Sequence, residues 1–308
     1  MTKRIAVTGA TGFVGAHLIA ALARRGWKLR LLIRKWTPLP SLAGVDAEIV
    51  WGDLDDEDAL EALVAGTDAI VHAAGLIKAR RPEDFLKVNR DGTARLAALA
   101  PRTPFVLLSS LAAREPQLSL YAASKHAAEE VVAGRPGPWL AVRAPAVYGP
   151  GDRETLAYFR AAAWGIAPQP AVPDARLSLI HVVDLAEALA LAVECLPLPS
   201  VYEIDDGHEG GYGYPDMARA AGLALGRWER LVRIPRSLMG LVALANGALQ
   251  SLGGPTRILT GGKVNEIFHP DWSLHDRRLA AVLGFAPRFA LEDGFRDTIL
   301  WYRARNWL

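Results

Sequence analysis

Residues 8–15 read TGATGFVG and leave this chain few ways to fold. An apolar run at residues 5–7 leads into the stretch, and a segment with helical apolar spacing leaves it at Phe13. Gly9, Gly12 and Gly15 therefore stand between an expected strand and an expected helix. Glycine at such a junction permits a tight turn, close approach of backbone N–H groups to a phosphate, and close packing of helix on strand. Three glycines in seven positions are weak evidence in a chain that holds 28. Their place after the first strand gives them weight, because a dinucleotide-binding sheet begins in this way. Thr11, Phe13 and Val14 complete the turn and are expected, with Gly9 and Gly12, to contact the nucleotide.

Downstream, short apolar runs alternate with helical segments, the pattern of a parallel sheet covered on both faces. Strands are expected over 4–8, 28–33, 47–50, 69–72, 105–109 and 140–143, with a further strand over 201–204. Helices are expected over 13–25, 57–64, 82–100 and 122–133. The fold class is α/β, a Rossmann doubly wound parallel sheet with a smaller C-terminal substrate lobe. Residues 1–150 form the nucleotide-binding domain and 151–308 the lobe, with return segments such as 177–205 packing on the sheet. Ligands in such sheets bind beyond the carboxyl ends of the strands, so those ends carry the candidate site.

Composition narrows the function. The 35 basic and 33 acidic side chains nearly cancel, which argues against a nucleic-acid binder. A single cysteine, Cys195, excludes an internal disulfide, and its place at the end of an apolar segment reads as core. No leader-like stretch precedes the first apolar run, and a cytoplasmic protein is expected, with peripheral membrane contact as a variant. No metal site is expected, since His208, His269 and His275 lack ligand spacing.

Several strand ends carry chemistry. Arg34 and Lys35 follow the second strand, where an NAD-binding fold would place an acid for the ribose hydroxyls. A guanidinium binds a 2′-phosphate that an acid would repel, so NADP(H) is expected over NAD(H). The fourth strand leads into Ala73, Ala74 and Gly75, small enough to let a cofactor approach. His72, on that apolar strand, reads as a hydrogen-bonded packing residue. The fifth strand delivers Ser109 and Ser110, and YAASK follows with Tyr121 and Lys125 four residues apart. That spacing sets both on one helix face, where an ammonium lowers the pKa of a phenol.

Taken together, TGATGFVG, the fifth-strand serines, YAASK and the segment RAPAVYGPG at 143–151 resemble the extended branch of the short-chain dehydrogenases/reductases, of NAD-dependent epimerase/dehydratase type. The resemblance covers nearly the whole chain, most specifically its first 150 residues. It implies that Tyr121 exchanges a proton with the substrate oxygen, that Ser110 rather than Ser109 hydrogen-bonds that oxygen, and that Lys125 holds the ribose and tunes the phenol. It also implies that Asp53 and Leu54 contact the adenine, that Pro145 and Val147 flank the nicotinamide, that Asn89 braces the site, and that the protein is a homodimer. Nucleotide-sugar enzymes of the family carry an asparagine where this chain has Ala146. With Pro145 beside it, that departure moves the resemblance toward 3β-hydroxysteroid dehydrogenase-like and dihydroflavonol reductase-like members. The expected function is NADP-dependent hydride transfer between nicotinamide and a secondary alcohol or ketone of a lipophilic small-molecule substrate. A nucleotide-sugar epimerase or dehydratase with bound NAD, and a non-catalytic NAD(P)H-binding assembly or regulatory protein, remain alternatives.

Past residue 151 the motifs thin out. Asp55 to Asp58 are expected to complement the start of the next helix, with Asp53 itself a second candidate for a helix cap. Asp184 is expected as an N-cap and His181 as structural. Arg227, Arg230, Arg233 and Arg236 precede the weakly charged segment 237–254. Three readings are open for that segment: a core helix, which is the first expectation, a lid over a lipophilic substrate, or contact with a membrane surface. It is marginal for a spanning helix. Residues 295–307 are expected to form an aromatic helix that packs on the lobe.

Overall fold

Apolar runs too short for helices and buried on both faces become the strands of one parallel sheet. The computed structural model describes residues 3–39, 41–227, 230–251 and 259–308. Its contacts divide the chain into two units, Met1–Ala144 with Leu185–Ile204 and Asp276–Phe285, and Pro145–Asp184 with Asp205–His275 and Ala286–Leu308.

The first unit holds β1 (Arg4–Thr8), α1 (Phe13–Arg24), β2 (Lys28–Ile33), β3 (Ala47–Trp51), α2 (Glu57–Val64), β4 (Ala69–His72), β5 (Phe105–Ser110) and β6 (Trp139–Ala144). A seventh strand, Ser200–Glu203, pairs with β6, so the sheet order is Ser200–Glu203, β6, β5, β4, β1, β2, β3. Every pairing in it is parallel. This is a Rossmann-like α/β fold, flanked by helices, with the reversal of strand order between β1 and β4. The outermost strand, which the chain adds only after a long excursion, falls where the further strand over 201–204 is expected.

Ile5, Ala6 and Val7 are fully buried, as are Ile70 and Val71 of β4 and Phe105, Val106 and Leu107 of β5. The edge strand β3 is only half-buried. Asp56 caps α2 by accepting from Ala59 N at 3.1 Å, and Glu57 and Asp58 occupy its first turn, where carboxylates complement the helix dipole. Asp53 caps no helix; its Oδ1 accepts from Asp55 N at 2.8 Å.

Three local expectations are corrected. The helix expected over 82–100 runs without interruption from Asp84 to Leu99, but it widens to a π-helical turn at Lys87–Asp91. The widened turn coincides with Asn89, whose side chain is held from outside the helix, and with Thr93, which donates to Asn89 O at 2.5 Å. Cys195 is exposed rather than core, because it is the last residue of the helix Val182–Cys195. Asp184 lies inside that helix and is not its N-cap; its carboxylate accepts from the backbone N–H groups of Arg288 and Phe289 at 3.0–3.1 Å.

The second unit is built on an aromatic cluster. Tyr148, Phe159, Phe295 and Tyr302 are buried, with ring centroids 4.9 Å apart for Phe159 and Phe295 and 5.1 Å for Tyr148 and Phe295, both edge to face. The C-terminal helix, Leu291–Ala304, supplies Phe295 and Tyr302 to that cluster. His181 is fully buried against Phe289 and Tyr148, in keeping with a structural role. In the segment 237–254 the core reading does not hold. The helix Arg236–Ser251 buries only Ala243, and residues 252–254 lie outside the described residues. Among the described residues no helix is long and apolar enough to cross a membrane.

The junction of β1 and α1 tolerates little. A Cβ added at Gly15 would lie 2.0 Å from Gly9 O and 2.7 Å from Gly9 C, both backbone atoms that cannot swing aside. Gly15→Ala is expected to destabilise the protein by about 1–3 kcal/mol, the usual cost of overpacking. Urea denaturation checks this, and an unchanged midpoint would show that α1 can lift off the strand.

Candidate active site

The turn after β1 is shaped to receive an anion. Gly9 has φ +75°, and a Cβ there would lie 2.5 Å from Ala73 C and Ala74 N, so the ends of β1 and β4 approach as closely as glycine allows. Gly12 N donates to Gly9 O at 2.9 Å and closes the turn. Gly12 is the N-cap of α1, with no side-chain cap and no acid in the first turn. The positive end of this twelve-residue helix thus has no carboxylate in its own first turn, and is flanked by exposed Thr11 and half-buried Phe13 and Val14. These residues fit a nucleotide diphosphate.

His72 holds the floor of this turn. Thr93 gives its proton to Asn89 O, so its oxygen accepts from His72 Nε2 at 3.0 Å, and Nδ1 accepts from Thr8 Oγ1 at 2.6 Å. Thr8 Oγ1 in turn accepts from Ala74 N at 3.2 Å. Burial, then the nearby Lys125 charge, pushes the imidazole down to about 3, so it is neutral and takes no part in proton exchange near neutral pH. Asn89, also buried, accepts from Leu76 N at 2.7 Å and donates to Leu76 O and to Ser124 Oγ at 3.0 and 2.8 Å. It ties the Gly75 loop to the helix Leu120–Ala133.

That helix starts at Ser119, whose hydroxyl accepts from Ala122 N at 2.9 Å, and carries Tyr121 in its first turn. Lys125 is buried and donates from Nζ to Leu108 O on β5 at 2.7 Å; a Cβ on Gly75 would lie 3.9 Å from that Nζ. Burial lowers the ammonium from 10.5 to about 8, against the opposing charge of Glu129. The two serines of β5 differ in what they have left to offer. Ser109 is buried and spends its proton on Glu129 Oε1 at 2.5 Å. Ser110 Oγ accepts from Ala112 N at 3.2 Å, a bond that uses a lone pair and leaves the O–H as a donor.

Glu129 is the residue that sequence reasoning missed. It is buried, accepts Ser109, and takes Arg143 of β6 in a two-pronged pair at 2.9 and 2.7 Å. Its position four residues after Lys125 and eight after Tyr121 puts it on the same helix face, which was the available signal. Thr8, Thr93 and Ser124 were also missed, because their partners are 21 to 66 residues away.

The remaining expected residues are placed separately. Arg34 and Lys35 are exposed immediately beyond the end of β2. Asp53 is exposed, whereas the Leu54 side chain is buried in the sheet's core cluster and its carbonyl accepts from Arg95 Nε at 2.7 Å. Pro145 and Val147 belong to the second unit, Val147 in a short strand, Ala146–Tyr148. No cluster of His, Cys, Asp or Glu able to hold a metal occurs among the described residues.

Comparison with known proteins gives the family of the chain. The NAD dependent epimerase/dehydratase family matches residues 5–204, a span that runs from β1 through the seventh strand. The chain belongs to that family. Members use a nicotinamide dinucleotide, as the uncapped α1 terminus and the glycine turn accommodate. The chain is 42% identical over 311 residues to the ceramide reductase of Caulobacter vibrioides, covering 99% of this chain and 96% of that protein. It is 29% identical over 239 residues to the 4-hydroxy-2-methyl-3-oxo-4-farnesyl-3,4-dihydroquinoline-1-oxide ketoreductase of Stigmatella aurantiaca, covering 66% and 68% of the two chains. The crystal structure of gox2253 superposes with a TM-score of 0.80 at 25% identity over the full length of both.

The buried Lys125 makes stability depend on pH in a stated direction. A base whose folded pKa is lowered binds fewer protons folded than unfolded between about 8 and 10.5, so the native state gains stability as pH rises through that window. Relative to Lys125→Met, the parent protein should gain up to about 3 kcal/mol across it. Denaturation of both proteins at pH 7 and pH 10.5 checks this, and a pH-independent difference between them contradicts it.

Proposed function

We propose that this protein is an NADP(H)-dependent reductase that converts a ketone on a long-chain lipid amide, of the ceramide type, to the secondary alcohol. The observation that carries the reading is an intact Ser110, Tyr121 and Lys125 set in a chain similar over its whole length to a ceramide reductase. The second relative, named for a ketoreductase acting on a farnesylated ring, also supports a ketone on a lipophilic skeleton.

When bound, the nicotinamide supplies a hydride to the carbonyl carbon. The Tyr121 hydroxyl gives its proton to the carbonyl oxygen and is left as phenolate. Ser110, whose O–H remains available as a donor, steadies that oxygen as charge develops on it. Lys125, held against Leu108 O, supplies the positive charge that lowers the phenol's pKa and stabilises its anion. Glu129 keeps Ser109 occupied and β6 in place through Arg143, so the second serine alone faces the substrate oxygen. Ala73, Ala74 and Gly75 give the cofactor room along the end of β4. Asp53 and the Leu54 backbone receive the adenine.

Arg34 and Lys35 support NADP(H) over NAD(H). Both are exposed cations one and two residues past β2, and residues 33–37 contain no acid that would repel a 2′-phosphate. Arg34→Asp should weaken NADPH at least tenfold more than NADH in a fluorescence titration; an equal loss for both would sink the assignment.

The decisive assay supplies a 3-oxo long-chain amide with NADPH and follows cofactor oxidation and the alcohol formed. Tyr121→Phe should lower turnover by about 10²–10⁴ with NADPH affinity nearly unchanged. Full activity in the variant would remove Tyr121 from the mechanism. The family also contains nucleotide-sugar epimerases, and Ala146 in place of the amide that those enzymes carry favours the reductase. Turnover of a UDP-sugar with NAD retained through purification would reverse that judgement.

A further inference from the structure

The helix Arg236–Ser251 is amphipathic the wrong way round for a soluble protein. Its packed stripe is Met239, Ala243, Asn246 and Gln250, and Asn246 donates to Leu259 O at 3.1 Å. A flanking face carries Leu238, Leu241, Val242, Ala245 and Leu249, spaced three and four residues apart. Those aliphatic side chains point outward, with Leu241 65% and Leu249 52% exposed. Leu244, 74% exposed, joins Leu241, Gly240 and Val264 in lining an open groove of about 610 Å³.

Charge frames this face with one sign. The strand Arg230–Ile234 runs directly into the helix and exposes Arg230 and Arg233, and Arg236 opens the helix. Residues 230–251 hold three arginines and no acid, and beyond Arg236 the helix has no charge at all. A cationic border beside an uncharged aliphatic face complements an anionic lipid surface, with headgroups on the arginines and acyl chains on the leucines. The face has no aromatic residue to anchor a protein partner. At ~1.5 Å per residue, sixteen residues reach about 24 Å, enough to lie in an interface but short of a span.

We infer that the helix Arg236–Ser251 docks this protein onto an anionic phospholipid bilayer, its Leu238, Leu241, Val242 and Leu249 face embedded and Arg230 and Arg233 against the headgroups. Docking of this kind brings the enzyme to a substrate that resides in the bilayer. It goes beyond the ketone-reductase reading, and its binding readout needs no substrate or turnover.

The test is cosedimentation of the full chain with vesicles of phosphatidylcholine alone and of phosphatidylcholine mixed with phosphatidylglycerol. Binding to the mixed vesicles is expected to be at least tenfold tighter, and to fall as salt is raised. Leu241→Glu with Leu249→Glu should reduce it at least tenfold, and Arg230→Glu with Arg233→Glu should remove the preference for phosphatidylglycerol. Both variants replace exposed side chains, and an unchanged thermal midpoint and NADPH affinity verify their folding. Absence of binding to mixed vesicles, or binding that the leucine variant leaves intact, overturns the inference. So does a dimer that the leucine variant dissociates in the absence of any vesicle binding, which would assign the face to a second copy of the chain. A protein that binds vesicles but reduces no ketone would count against the proposed function alone, and one that reduces ketones in solution without binding vesicles would count against the docking alone.

Discussion

A single buried carboxylate joins the elements that carry the reaction chemistry. Glu129 accepts Ser109 from β5 and both arms of Arg143 from β6, and it stands one helical turn past Lys125. A buried anion is costly unless its lone pairs are filled, and here three donors fill them. The consequence reaches past stability. With Ser109 engaged, only Ser110 has a proton to offer at the strand end, and the Lys125 ammonium keeps a partially compensating charge in a place where burial disfavours it. Glu129, Lys125 and Arg143 form a graded set, in which burial depresses the lysine and the carboxylate moderates the effect.

The nucleotide end of the same unit relies on geometry instead of charge. Gly9 lets the β1 turn touch the backbone at Ala73 and Ala74, and Gly12 leaves α1 without a side-chain cap. The unused N–H groups of that helix are the available donors for a diphosphate. His72 serves this end as a neutral strut between Thr8 and Thr93. A histidine near a proposed proton-transfer site invites a catalytic reading, but burial removes its proton over the working pH range.

Legibility in the sequence followed the range of the forces involved. Strands 4–8, 28–33 and 69–72 were readable because each is an apolar run buried on both faces, a property its own residues carry. The capping of α2 by Asp56 and the pairing of Tyr121 with Lys125 on one face are also local, at spacings of three and four residues. The π-helical turn within the helix over 82–100 was not readable, since it accompanies Asn89 bonds to Leu76 and Ser124, 13 and 35 residues away. Glu129 was passed over for the same reason: its partners Ser109 and Arg143 become neighbours only when β5 and β6 pair. Cys195 and the helix Arg236–Ser251 were misjudged because apolar character says which residues seek cover and nothing about whether cover exists.

By itself the sequence determined the α/β class, the glycine turn with its nucleotide, and the Ser110, Tyr121 and Lys125 pattern, because each is encoded in short-range spacing and side-chain chemistry. Tertiary structure supplied the reason that Ser110 and not Ser109 keeps a free proton and that His72 is inert, and it alone decided that Lys125 is depressed to about 8. It also decided that an aliphatic helix face stays exposed beside Arg230 and Arg233. Proton availability, pKa and exposure are properties of what surrounds a group, and those surroundings come from residues far away in the chain.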